Sequence, residues 1–66
     1  MTGSDASVRP AVRIGDAERQ QAAERLGEHL RAGRLDAAEY DERLERAFAA
    51  RTAPELAPLF SDLPGG

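Results

Sequence analysis

The stretch that decides the fold is residues 30–44, which read LRAGRLDAAEYDERL. Gly33 interrupts a helical pattern and is typical of the left-handed residue that follows a helix, because glycine has no side chain to clash there. Arg31 and Arg34 flank it, and positive charge is favourable near the negative end of a helix dipole. The stretch therefore predicts two helices joined by a tight turn at Gly33.

The second helix is predicted to begin directly after this turn and to cover about residues 37–50. Asp36 is a good N-cap, and with Glu39 three residues later it resembles a capping box. Leu35 before the cap and Tyr40 within the helix have the spacing of a hydrophobic staple. The i,i+4 spacing also predicts ion pairs on the outer face, namely Glu39 with Arg43 and Glu42 with Arg46.

The first helix is predicted over about residues 17–32. Asp16 is a suitable N-cap, since its carboxylate can accept a hydrogen bond from the free N–H groups of the first turn. Glu18 in that turn suits the positive end of the helix dipole. Gly27 costs a helix interior about 1 kcal/mol relative to alanine, and a close approach by another helix would explain it. The apolar residues at helical spacing are Ala22, Ala23, Leu26 and Leu30.

A short third helix is predicted after Arg51. Thr52 and Glu55 have capping-box spacing, and Pro54 lies in the first turn, where proline is tolerated. Pro58 lacks the N–H that would bond to the carbonyl of Pro54, and its ring crowds that carbonyl. We therefore expect a kink at Pro58, or two short turns in place of one regular helix.

The predicted core is a set of leucines and aromatic residues on the inward faces of the three helices. They are Leu26, Leu30, Leu35, Tyr40, Leu44, Phe48, Leu56, Leu59, Phe60 and Leu63, with Ile14 as a further candidate. A chain of 66 residues has room for one small domain, whose single core leaves little margin of stability. We therefore expect a marginally stable domain that benefits from a partner surface or from dimer formation.

The all-α domain is expected to span residues 14–64. Residues 1–13 contain no periodic apolar pattern and read as a flexible leader, whereas residues 65–66 read as the start of a linker. The first residues carry no apolar run, so they do not resemble a secretory signal. No stretch reaches the about 20 apolar residues that a membrane-spanning helix needs.

Composition excludes several kinds of site. The sequence has no cysteine, which rules out disulfides and thiolate metal sites and suits a reducing compartment. We expect a cytoplasmic location, including the cytoplasmic face of a membrane where a longer parent protein is anchored there. The formal net charge of −3 argues against binding to nucleic acid, because phosphate contacts need a basic face.

No group of residues has the pattern of a catalytic or cofactor site. His29 is the only histidine, and neither of its i±4 neighbours is a metal ligand, whereas a metal site needs three or four donors. We expect it to be a partly exposed helical residue near the helix C-terminus. Ser4, Ser7 and Ser61 have no histidine nearby in the sequence, and no glycines form a phosphate-binding loop. The expectation is a protein that is not an enzyme and that uses no cofactor or metal.

Charged residues leave two alternatives open. Asp41, Glu42 and Glu45 form an acidic patch on helix 2, which we expect to be a solvated face or else a docking surface. Acid–base catalysis by paired carboxylates needs a cleft and shifted pKa values, which an exposed helix does not offer. A basic strip along the leader and helix 1 would instead make the chain a small nucleic-acid-binding domain. Its members would be Arg9, Arg13, Arg19, Arg25, Arg31 and Arg34.

Several short motifs follow one another in a fixed order between residues 13 and 64. They are Asp16-x-x-Arg19, Gly33-Arg34-Leu35, Glu39-Tyr40, Glu42-Arg43-Leu44, Ala50-Arg51-Thr52, Glu55-Leu56 and Asp62-Leu63-Pro64. Together they resemble the SHOCT-like domain of unknown function 1707, a family common in actinobacteria. Pro58 departs from the apolar or alanine residue that is usual at its position.

The resemblance implies the N-terminal module of a longer regulatory or membrane-associated protein. Related SHOCT modules are thought to mediate oligomerisation or association, and no catalytic residues are established for the family. We therefore expect a non-catalytic protein-interaction or oligomerisation module. Its expected partner is another protein or a second copy, with a membrane contacted only through adjoining segments.

Overall fold

The fold is a helical hairpin that packs with a short third helix. The computed structural model describes residues 12–65, in which the regular secondary structure is helical. Helix α1 spans Asp16–Arg31, α2 spans Ala37–Ala49, and α3 spans Ala53–Leu56 and continues as a 3-10 turn at Ala57–Leu59. The predicted all-α fold of three helices is therefore confirmed. Residues 1–11 of the predicted leader lie outside the described part of the chain.

Helix α1 begins one residue earlier than predicted. Gly15, and not Asp16, is the N-cap, with an extended backbone at φ −115° and ψ −169°. The Glu18 carboxylate reaches back and accepts a hydrogen bond of 2.7 Å from the Gly15 N–H. Asp16 is the first helical residue and lies with Glu18 at the positive end of the helix dipole. Glutamate at the third helical position thus caps this end without a side chain at the N-cap itself.

The turn after α1 has the geometry of a Schellman motif. Gly33 has φ +78°, a left-handed conformation that side chains rarely adopt. The Gly33 N–H donates to the Leu30 carbonyl at 3.0 Å, and the Arg34 N–H donates to the His29 carbonyl at 2.9 Å. These two bonds satisfy carbonyls at the end of α1 and reverse the chain direction toward α2.

Helix α2 begins with a complete capping box. Asp36 Oδ1 accepts from the Glu39 N–H at 2.7 Å, and Glu39 Oε1 accepts from the Asp36 N–H at 2.9 Å. Two otherwise free donors of the first turn are therefore satisfied reciprocally. The box therefore fixes where α2 begins.

The third helix begins and ends differently from a regular helix. The Thr52 side chain makes no capping hydrogen bond, and the Glu55 carboxylate accepts from the Arg51 N–H at 2.7 Å, one residue before the predicted partner. The capping box predicted for Thr52 and Glu55 is therefore absent. The α-helix gives way to a 3-10 turn at Ala57, one residue before Pro58, whose missing N–H cannot continue the α-helical hydrogen bonds.

Residues 12–14 pair with the segment that precedes α3. Arg13 forms an isolated antiparallel bridge with Thr52. The Ile14 N–H donates to the Arg51 carbonyl at 3.1 Å, and the Ala53 N–H donates to the Val12 carbonyl at 2.9 Å. The prediction that the flexible leader extends to residue 13 is therefore wrong for its last two residues, which are held by backbone pairing.

The core lies where α1, α2 and the third helical segment meet. Leu26 and Ala47 are fully buried at its centre. The other buried apolar residues are Ala22, Leu35, Ala50, Leu59, Phe60 and Leu63. Three predicted core residues, Tyr40, Leu44 and Leu56, are only partly buried and pack against this cluster. Alanines supply three of the eight buried apolar residues in the described part of the chain.

Phe48 is the main correction to the predicted core. Its exposed fraction is 48%, whereas Ala47 beside it is 0% exposed. Successive residues lie about 100° apart around a helix, so Phe48 is rotated away from the inward direction of Ala47. Leu30 and Ile14 are also only half-buried. The structure thus places the smaller residue in the core and leaves the aromatic ring at its edge.

Candidate functional site

His29 is buried, with an exposed fraction of 7%, and is not the partly exposed residue that we expected. Its Nδ1 atom lies 3.2 Å from Arg34 Nη1. A guanidinium can only donate, so Nδ1 acts as the acceptor in this contact. The ring also lies near Phe60, with centroids 6.3 Å apart and planes tilted by 51°. These contacts give His29 a packing and hydrogen-bonding role beneath the Gly33 turn.

Arg43 connects α2 to the segment at the end of the third helix. Its guanidinium donates to both carboxylate oxygens of Asp62, at 2.7 and 2.8 Å, and to the Leu59 carbonyl at 2.9 Å. The hydrogen bond from Arg43 holds the pKa of Asp62 well below its usual range, at about 2. The same bond raises the pKa of Arg43. The pair that we predicted between Arg43 and Glu39 is therefore replaced by a contact between distant parts of the sequence.

The arginines of α1 do not form a basic strip. Arg19, Arg25 and Arg31 are six residues apart, and a step of six residues rotates the side chain by about 120° around the helix. Arg19 donates to the Ile14 carbonyl at 3.3 Å, whereas the Arg25 guanidinium lies 4.1 Å from the centre of the Phe60 ring. Arg34 is bound to His29. Arg9 lies outside the described residues.

The acidic patch of α2 is exposed, as a solvated face requires. Glu42 pairs with Arg46 at 3.3 Å, the i,i+4 partner expected from the sequence. Among residues 12–65, neither Asp41 nor Glu45 forms an ion pair. Since Arg43 is turned toward Asp62, this side of α2 keeps two uncompensated carboxylates.

The described residues contain no group of three histidine, cysteine, aspartate or glutamate side chains placed to hold a metal ion. Ser61 donates its hydroxyl hydrogen to the Pro58 carbonyl at 3.2 Å, where it closes the 3-10 turn. Ser4 and Ser7 lie outside the described residues. No helix between residues 12 and 65 has the length and apolarity needed to cross a membrane.

One groove lies between α1 and α2, and we call it the α1–α2 groove. It has a volume of about 440 Å³ and is lined by Ala23, Glu24, Gly27, Glu28, Arg31 and Tyr40. A Cβ atom placed on Gly27 would meet only the end of the Arg31 side chain, whose Nη1 atom would be 3.5 Å away. The close helix approach that we expected at Gly27 is therefore absent, and this buried glycine lines the groove with the end of the Arg31 side chain beside it.

A second groove lies between α1 and the third helix, on the other side of α1. Its volume is about 330 Å³. Apolar residues line most of it, namely Ile14, Ala22, Ala53, Leu56, Ala57 and Phe60. Arg25 covers part of the Phe60 ring at its rim. Sequence reasoning did not identify either groove, because each depends on how the helices cross.

Comparison with known proteins places these features in a family context. Residues 12–64 match the model of the DUF1707 SHOCT-like domain. The chain is also 44% identical over 55 residues to two Mycobacterium tuberculosis proteins, named Uncharacterized protein MT0994 (strain CDC 1551 / Oshkosh) and Uncharacterized protein Rv0966c (strain ATCC 25618 / H37Rv). Each alignment covers 83% of this chain but only 28% of the relative, so the chain spans little more than a quarter of their length. No solved structure matches the chain.

Proposed function

The chain belongs to the DUF1707 SHOCT-like domain family, and we propose that it acts as a non-catalytic module that binds another protein or a second copy of itself. The observation that carries this proposal is the exposure of Phe48. An aromatic ring that is 48% exposed on a regular helix leaves apolar area in contact with water. Burial of that area against a partner would recover about 25 cal/mol per Å².

The surroundings of Phe48 support a binding role. Residues 40, 44 and 48 are spaced by four, so Tyr40, Leu44 and Phe48 lie along one side of α2. Tyr40 and Leu44 already pack against the core, whereas Phe48 extends the same apolar row into solvent. Exposed aromatic residues next to packed apolar neighbours are common anchors of protein interfaces.

The relatives support a modular role. In both mycobacterial proteins the similar segment makes up 28% of the polypeptide, so it is one part of a larger protein there. We propose that the domain works on the cytoplasmic side and contacts a membrane only through adjoining segments. A module of this size can join two proteins without any chemistry of its own.

Site-specific photocrosslinking tests the proposal in cells. Benzoylphenylalanine would replace Phe48 in one variant and the exposed Ala17 in a matched control. We expect adducts of defined mass from position 48 and none from position 17. Adducts of twice the chain mass would identify self-association, whereas other masses would identify a different protein. Equal crosslinking from both positions, or none from position 48, would overturn the proposal.

A further inference from the structure

The row formed by Tyr40, Leu44 and Phe48 continues the wall of the α1–α2 groove. Tyr40 belongs to both the row and the groove. Eight residues separate Tyr40 from Phe48, which corresponds to about 12 Å along a helix axis. On the α1 side, Ala23 and Gly27 leave space in the groove because neither carries a large side chain. Together the groove and the row form a track about two helical turns long, and its α2 side is apolar.

Carboxylates lie on both sides of this track. Glu24 and Glu28 are four residues apart on α1, and Asp41 and Glu45 are four residues apart on α2. All four side chains are exposed. Within residues 12–65, none of them takes part in an ion pair. Like charges at this spacing destabilise a helix, so each pair has an energetic cost.

Two of the basic residues nearby are bound to other carboxylates. Arg43 is bound to Asp62, and Arg46 is bound to Glu42 on the outer side of α2. Arg31 lies across the groove, with Nη1 3.5 Å from the position that a Cβ of Gly27 would take. A guanidinium therefore already occupies the space above Gly27. Arg31 is the single cationic side chain among the described residues that line the groove, together with the carboxylates of Glu24 and Glu28.

We propose that the α1–α2 groove and the row Tyr40–Leu44–Phe48 bind a basic amphipathic helix of a partner protein. The apolar face of that helix would cover Phe48 and Leu44, and its lysine or arginine residues would lie over the carboxylates on each side. A helix from the partner is the best-fitting occupant, because the track runs between α1 and α2 and spans about two helical turns. This inference rests on the proposed function and specifies its partner.

The test uses the full chain and a fluorescent peptide of about 18 residues, with leucines on one helical face and lysines elsewhere. Fluorescence anisotropy would measure its affinity at low and at physiological ionic strength. A peptide of the same composition with scrambled order, and one with glutamate in place of lysine, serve as controls. We expect binding of the amphipathic lysine peptide alone, weakened by salt.

Variants locate the binding surface. We expect Phe48→Ser to weaken binding about tenfold, a typical effect at an interface anchor. Glu24→Gln together with Glu28→Gln should weaken it several-fold. The matched control is Asp16→Asn with Glu42→Gln, which removes two carboxylates away from the track and should change affinity less than about twofold. Circular dichroism would confirm that each variant keeps its helices.

Equal affinity for the scrambled peptide would overturn the proposal, as would equal effects of the groove variant and its control. A dimer seen by light scattering that Phe48→Ser disrupts, without any peptide binding, would also overturn it and assign the surface to a second copy. Photocrosslinks from position 48 in cells, combined with no peptide binding, would leave the interaction module standing and reject only this partner.

Discussion

The guanidinium of Arg43 holds the carboxylate of Asp62 through two parallel hydrogen bonds of 2.7 and 2.8 Å. The side chain of Arg43 is 17% exposed, whereas that of Asp62 is 60% exposed. A third bond from Arg43 reaches the Leu59 carbonyl. One side chain of α2 thus holds the end of the 3-10 turn and the following loop against the hairpin.

Stability should fall in acid because of this pair. Arg43 lowers the pKa of Asp62 from 3.8 to about 2, so the ionised carboxylate favours the folded state above pH 4. This contribution is lost as the pH falls from about 4 to about 2, where the folded protein takes up the proton. Urea unfolding across this range should show wild type approaching Asp62→Asn in stability. A constant difference between the two down to pH 2 would contradict this role of Asp62.

Arg43 and Arg46 should respond differently to replacement by lysine. Lysine cannot make two parallel bonds to a carboxylate, so Arg43→Lys should lower Tm by several degrees. Arg46 is 65% exposed and pairs with an equally exposed Glu42, so Arg46→Lys should change stability by less than about 0.5 kcal/mol. Thermal unfolding of the two variants at neutral pH measures the contrast. Equal losses of Tm would show that Arg43 acts only as a surface charge.

Replacement of Gly27 and of Gly33 by alanine should change the stability of the domain in opposite directions. Gly33 has φ +78°, so Gly33→Ala should destabilise the domain by about 1–2 kcal/mol. Gly27 is helical and has room for a Cβ atom, so Gly27→Ala should stabilise it by up to about 1 kcal/mol. Chemical unfolding of both variants measures the signs. Destabilisation by Gly27→Ala would mean that helix packing, and not an open groove, accounts for this glycine.

The N-caps of α2 and α3 should likewise differ. Asp36 accepts a 2.7 Å hydrogen bond from Glu39, and Asp36→Ala should cost about 0.5–2 kcal/mol. The Thr52 side chain makes no capping bond, so Thr52→Ala should cost less. Free energies of unfolding for the two variants can be compared directly. A larger loss for Thr52→Ala would show that its hydroxyl caps α3 in solution.

Local sequence patterns predicted the helices well, because caps and turns depend on nearby residues. The Gly33 turn and the Asp36–Glu39 box form through hydrogen bonds between residues that are close in the sequence. The core was harder to predict, since alanine favours a helix wherever it lies. Ala47 was therefore left out of the predicted core in favour of its larger neighbour Phe48, although burial depends on helix rotation as well as on side-chain size.

Contacts distant in sequence could not be predicted from spacing. Glu39 and Asp62 are both chemically suitable partners for Arg43, and only the packing of the third helix brings Asp62 within reach. The grooves depend in the same way on how helices cross. The positions of the arginines around α1 could have been predicted from the sequence. Their six-residue spacing places them on different sides of the helix and excludes a single strip.

The pairing of residues 12–14 with residues 51–53 has a mechanical consequence. Tension applied through the residues before Val12 reaches the Val12–Ala53 and Ile14–Arg51 hydrogen bonds before it reaches α1. The load therefore passes first into the segment between α2 and α3, and the hairpin is shielded until these bonds break. The domain can in this way bear a pull from its N-terminal side without immediate unwinding of its first helix.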